Sequence, residues 1–248
     1  MSADARDAGE IRPYRSEDRE AVREICRKTA YRGLGSRAAW EDDELFADYW
    51  TRYYTDYEPE SALVAIEAGR PIGYLLGCAD SRRHLRIMSR SIVPITLART
   101  LWRWGTGRYK QECSKRFIRW ALGKSWRESL RVPLAEFPAH YHCNVLAEGQ
   151  GKCYYSRMAL AFLDRLDALG VTGIHGYLHE PAERSVFLHI LRGFLKERPG
   201  ALLHFEEKPT AFGRDVLGDG RKMATRCYGF HVADYRDLMQ WTARRYRM

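Results

Sequence analysis

Apolar residues along the chain recur with two different periods, and the switches between them predict the elements. "EIRPYRSEDREAVREICRKTAY" opens with a short strand ending near Tyr14. Ala21, Val22, Ile25 and Cys26 then fall at helical spacing and predict the buried stripe of a first helix. Ser16 is its expected N-cap, with Glu17 and Asp18 placed to suit the helix dipole. "DDELFADYWTRYYTDY" predicts a second helix, with Leu45, Tyr49, Trp50 and Tyr53 along one side. "SALVAIEAGRPIGYLLGCAD" carries two nearly continuous apolar runs around Ala68-Gly69-Arg70, the pattern of a β-hairpin covered on both faces.

The rhythm changes over residues 81–133. This stretch is helical in composition and broken at Gly105 and Gly107, and Ile118, Leu122 and Trp126 lie four apart as one apolar stripe. It reads as a helical insertion into an α/β core. Strand-like "AHYHCNVLA" follows, then a turn and a helix reaching about Leu169, in which Met158, Phe162 and Leu166 repeat every four residues. "VTGIHGYLH" predicts a strand and "ERSVFLHILRGFL" a helix stopped by Gly193 as C-cap. "KMATRCYGFHV" and "DYRDLMQWTARRY" predict a late strand and a terminal helix.

The 248 residues, 45% of them hydrophobic, suffice for one domain, or for one domain plus an insertion. No apolar run approaches the ~18 residues of a membrane span, so no membrane partner is expected. The polar, acidic start lacks the apolar core of a signal peptide, which predicts a cytoplasmic protein with a short disordered lead over residues 1–10. None of the six cysteines stands at a metal-ligand spacing; reduced thiols and no bound metal are the expectation.

The formal charge of +9 is concentrated. Residues 81–131 hold 14 Lys and Arg against Glu112 and Glu128, an excess of +12 that leaves −3 for the rest. Trp102, Trp104, Tyr109, Phe117, Trp120 and Trp126 are interleaved with these cations. The mixture suits phosphates and stacked bases; it equally suits an amphipathic lid with its aromatics buried and its cations solvated.

Candidate chemistry gathers around "HYHCNVLAEGQGKCYYS". His140, His142 and Asn144 share one strand face because side chains alternate with period two. His142 is the first candidate for a base that accepts a proton from an incoming ammonium. No companion carboxylate or thiol stands at metal-ligand spacing. Gly-x-Ser-x-Gly, Walker and dinucleotide motifs are absent. Cys153 opens the helix, where a thiol is either a lowered-pKa nucleophile or, the preferred reading, a packed side chain.

The order strand, anion-binding loop, helix, strand, helix ending in "GF" resembles the GNAT (Gcn5-related N-acetyltransferase) superfamily. "IRPYRSED", "ALVAIEAGRPIGYLLG" and "HCNVLAEGQGK…LGV…GF" carry the resemblance over residues 11–80 and 140–194. It implies an α/β (α+β) fold: a mixed, mainly antiparallel sheet flanked by helices. Residues 11–80 and 134–248 would form that domain and 81–133 the basic helical insertion.

The resemblance also implies acyl transfer from acyl-CoA or acetyl-CoA to a small-molecule amine or a peptide. The pantetheine arm would lie along Val145 and Leu146, and the diphosphate over Gln150, Gly151, Lys152, Cys153, Tyr154, Tyr155 and Ser156. Main-chain N–H groups opening a helix supply such an anion site. Gln150 fits the family's first loop position, but Cys153 and Tyr155 stand where the family has small residues. Either Tyr155 turns away and leaves the N–H groups usable, or the donor is not ordinary acetyl-CoA. His189 occupies the position that often holds a Tyr general acid, and the family's Asn is replaced near Ala182. An aminoacyl-tRNA or acyl carrier protein held by residues 81–131 is the alternative donor, and a catalytically silent GNAT-fold binding module the third reading.

Overall fold

A computed structural model describes residues 9–183, 185–220 and 222–246. The expected lead therefore falls mainly outside the described residues, while Gly9 and Glu10 are already tied down. Gly9 N–H donates to the Tyr154 hydroxyl at 3.1 Å, and Glu10 opens strand β1 (Glu10–Pro13). A 3-10 turn over Ser16–Asp18 leads into helix α1 (Arg19–Gly33), so Ser16 is not its cap. Asp18 holds this corner instead, accepting both Arg12 guanidinium bonds at 2.7 Å and the Arg15 N–H at 2.8 Å. Val22, Ile25 and Cys26 are buried as the spacing predicts.

Helix α2 (Asp43–Asp56) is capped by Asp42, whose side chain accepts from Leu45 N–H. Its buried face differs from the expected one. Leu45 and Tyr53 point inward with Phe46 and Tyr54, whereas Tyr49 and Trp50 are 38% and 40% exposed. Strands β2 (Ala62–Glu67) and β3 (Arg70–Cys78) pair antiparallel across a two-residue turn, with φ of 47° at Ala68 and 74° at Gly69. Positive φ at both positions matches the turn to the strands' right-handed twist.

Residues 81–133 contain α3 (Ser81–Ile87), a π-helical turn (Met88–Ile92), α4 (Val93–Gly105), α5 (Glu112–Gly123) and α6 (Ser125–Glu128). Pro94 lacks an N–H, and the π turn just before it is where the ladder absorbs that loss. The expected stripe fails beyond Ile118. Leu122 is 49% exposed although it shares α5 with Ile118, and Trp126 is 64% exposed because the helix breaks at Lys124 and the four-residue register is lost.

The chain then forms β4 (His140–Val145), α7 (Tyr154–Ala168), β5 (Gly173–Pro181), α8 (Val186–Glu197), β6 (Leu202–Thr210), β7 (Met223–His231) and α9 (Val232–Tyr246). Gly193 is not a C-cap; α8 runs through it. A Cβ there would lie 2.8 Å from the Trp241 ring, so the glycine lets α8 and α9 approach.

One sheet has the order β1-β2-β3-β4 and the other β5-β7-β6, each antiparallel throughout. They meet at one parallel bridge, Ala139 with Ile174, where His175 N–H donates to Ala139 C=O at 2.8 Å. Beyond it β4 and β5 part. The first sheet is covered on both faces, by a core around Leu75, Met158 and Phe162 and another around Tyr74, Ile25 and Tyr53. The fold is thus the mixed, mainly antiparallel α/β arrangement expected, and its divergence at β4 positions the candidate site.

Candidate active site

On one face of β4 stand His140, His142 and Asn144, as alternation requires. Asn144 Nδ2 donates to the Tyr74 hydroxyl at 2.7 Å and lies 3.2 Å from His142 Nε2. An amide N–H can only donate, so Nε2 is the acceptor and the proton of the neutral ring sits on Nδ1, 3.4 Å from the Tyr74 oxygen. Burial pushes the His142 pKa down to about 4. The ring is therefore neutral at physiological pH, with its lone pair toward Asn144 and with Trp50 5.4 Å away between ring centres.

His140 is differently employed. Ser81 Oγ donates to Pro138 C=O at 2.6 Å, which leaves its oxygen to accept from His140 Nδ1–H at 2.6 Å. Tyr54 O–H then donates to Nε2 at 3.0 Å. Both ring nitrogens are satisfied, and burial holds the pKa well below the ordinary value. His84 and His175 flank this ring at 4.8 and 5.2 Å between centres, and burial lowers each to about 4. His175 Nδ1–H donates to Phe137 C=O at 2.7 Å. Among the described residues no group of three or more His, Cys, Asp or Glu side chains is arranged to hold a metal ion.

The opposite face of β4 holds a phenol cluster that sequence reading missed. Tyr141 O–H contacts the hydroxyls of Tyr155 at 2.7 Å and Tyr235 at 2.6 Å, and Tyr228 O–H lies 3.5 Å from that of Tyr235. These rings come from β4, α7, α9 and β7, so the cluster ties the two sheets together at their divergence. Burial raises the pKa of all four, and each stays a neutral hydroxyl. The four residues are scattered along the sequence with no shared period, which left no signal to find.

From Val145 and Leu146 the chain passes a 3-10 turn (Ala147–Gly149) into exposed Gln150, Gly151 and Lys152. Cys153 adopts φ 60°, a left-handed conformation normally left to glycine, and α7 begins at Tyr154. Lys152 pairs with Glu67, and Arg157 donates to Gly9 C=O at 3.0 Å. The first-turn N–H groups of Tyr154 and Tyr155 have no acceptor inside the helix.

The coenzyme A implied by the loop can be tested against these residues. Tyr155 is turned toward Tyr141 and the core, its ring packed beside Phe162 and its neighbours. A side chain added at Gly151 would meet no atom within 4 Å, so space lies open over the loop. The edge of β4 beyond Ala139 has no strand partner, because β5 has diverged. Open helix N–H groups next to an unpaired strand edge fit a diphosphate followed by an extended amide arm.

His189 is not brought to this site by any described contact. It is exposed on α8, and its side chain makes no hydrogen bond to a described residue. Cys153 is a free thiol, as are the other five cysteines.

No family model matches the chain, and no curated protein matches it by sequence. Solved structures do. The crystal structure of SsHAT is 26% identical with a TM-score of 0.56, over 91% of this chain and 98% of that one. The fold is GNAT-like. An N-acetyltransferase from Staphylococcus aureus aligns at 11% identity and TM-score 0.48, over 90% and 98% of the two chains. A Drosophila melanogaster polyamine N-acetyltransferase, which catalyses formation of N-acetylagmatine, aligns at 14% and 0.46, over 90% and 99%. At these values the last two say nothing further about this chain.

Proposed function

We propose that the protein is an N-acyltransferase that moves an acyl group from a phosphopantetheine thioester, acyl-CoA in the first instance, to an amine. The observation that carries this reading is one strand, β4, with a neutral, partly accessible imidazole on one face and an unpaired edge running into an anion-binding helix start. When bound, the thioester supplies an acyl carbon activated toward an amine.

The chain's own residues do the rest. Main-chain N–H groups of Tyr154 and Tyr155 hold the diphosphate, and the edge of Tyr141 to Val145 offers main-chain groups to the arm. Asn144 and Tyr74 fix the His142 ring so that Nε2 keeps its lone pair. An acceptor ammonium entering past Tyr49 and Trp50 replaces Asn144 as donor to Nε2, while Asn144 keeps its bond to Tyr74. Nε2 takes the proton and passes it to water, leaving a free amine to attack the thioester carbonyl. The C–N bond forms as the C–S bond breaks, and the departing thiolate is neutralised by the second amine proton. The aromatic rims of Tyr49 and Trp50 favour a cationic acceptor. His189, exposed on α8, would act as the acid that hands this second proton to the departing thiolate when α8 moves inward.

A charged tRNA held by the insertion is the less favoured donor, because the side chains exposed between its cations are largely aliphatic rather than base-stacking. The experiment offers acyl-CoA, loaded carrier protein and charged tRNA separately with a panel of amines and detects the amide by mass. Transfer from acyl-CoA supports the proposal. Transfer only from charged tRNA, or from no donor, refutes it.

A further inference from the structure

Residues 81–105 form one unbroken helical rod, α3 through the π turn to α4, and its outward side has no counterpart elsewhere in the fold. Ser81, Met88, Ile92 and Thr100 face the protein. Leu85, Val93, Ile95, Leu97, Leu101 and Trp102 face solvent; Leu85 and Trp102 are more than half exposed, at 54% and 55%. Residues 82, 85, 86, 89, 90, 93, 97 and 101 follow one another along this side at helical spacing.

Charge is one-sided as well. No Asp or Glu occurs from residue 81 to residue 111. Arg82, Arg83, Arg86, Arg90 and Arg99 are exposed, and among the described residues Arg103 is the one cation of the rod in an ion pair, with Asp42. Arg108 lies over the Trp102 ring at 4.5 Å, which leaves that indole amphipathic at the rod's end.

We propose that this rod is an interfacial anchor that lies flat on an anionic lipid bilayer. Leu85, Val93, Leu97 and Leu101 would enter the acyl boundary while the arginines reach the headgroup phosphates. A rod that itself carries no acidic residue matches a surface of negative potential, and Trp is the side chain suited to the headgroup level. Nucleic acid fits less well. Phosphates would match the arginines, but aliphatic side chains offer bases no stacking platform. No helix of the described residues is long and apolar enough to cross a membrane, and an in-plane anchor does not need to be. The sequence-based expectation of no membrane partner concerned spans; the rod makes it too narrow.

The test is co-sedimentation with vesicles of phosphatidylglycerol in phosphatidylcholine, against phosphatidylcholine alone. Wild-type protein should pellet with the anionic vesicles, with added salt weakening the effect, and bind the neutral ones at least about tenfold less. Leu97→Asp with Leu101→Asp should lower anionic-vesicle binding by about tenfold or more. Arg86→Glu with Arg90→Glu should do so by a similar factor. Both pairs are exposed, and an unchanged circular dichroism melt would establish that the variants fold. Protein left in the supernatant with anionic vesicles overturns the proposal. So does binding that the Leu97/Leu101 pair leaves intact, or RNA that displaces the vesicles and is held equally by that pair.

Discussion

His142 and Cys153 are the two residues on which local chemistry can be read most directly. If His142 is the base, its burial sets where the pH–rate profile falls. With a folded pKa of about 4, kcat/KM should stay level as pH drops from 7 through 6 and decline only toward 4. An inflection near the ordinary histidine value would contradict a buried neutral ring. His142→Gln should lower kcat/KM roughly a hundredfold or more and remove that acidic limb. Cys153 sits at φ 60°, where an L side chain crowds its own carbonyl. Cys153→Gly should therefore raise stability by about 1 kcal/mol, read as a higher urea midpoint with an unchanged slope. A lower midpoint would show that the thiol's packing outweighs the backbone relief.

The phenol cluster is the junction between elements. Tyr141→Phe removes the hydroxyl that serves both Tyr155 and Tyr235, and should cost about 1–3 kcal/mol because two buried hydroxyls lose a partner. Urea denaturation measures it; a loss well below 1 kcal/mol would mean the ring contacts alone join the sheets. Elements differed in how plainly the sequence announced them. Runs covered on both faces, such as β3, and stripes of aliphatic residues, such as Met158, Phe162 and Leu166, were plain because burial needs that spacing. β6 was not foreseen, since "LLHFEEKPT" alternates exposed positions with charges and a proline on an edge strand. Tyr49 and Trp50 extended a helical stripe in the sequence, yet they are partly exposed, with Trp50 beside the His142 ring. Gly193 looked like a helix stop because a close approach to Trp241 has no signature in one dimension. Of the candidate site, the shared face of His140, His142 and Asn144 and the switch from strand to helix were legible from period, whereas the loop's anion-binding role came from the family resemblance. The tyrosines that receive Tyr155 were not.

At the scale of the whole molecule, buried histidines make stability depend on pH in one direction. His84, His142 and His175 have folded values of about 4, below the 6.5 of the unfolded chain. Between those values the unfolded state binds more protons, so stability falls as pH drops from 6.5 toward 4 and is fully present above it. Unfolding at pH 5 should take up roughly two to three protons through these residues, measurable from urea midpoints across neighbouring pH values. A flat profile through that window would mean the imidazoles are protonated in the fold. The same overall architecture, two sheets parting at Ala139 beside an open helix start, is what makes a thioester donor the expected ligand. Calorimetric titration with coenzyme A tests this most directly. Saturable binding below about 1 mM, weakened by salt as a diphosphate on main-chain N–H groups requires, is the expected result. No heat at millimolar coenzyme A would contradict it, and would mean that Tyr155 and Cys153 have closed the loop to that donor.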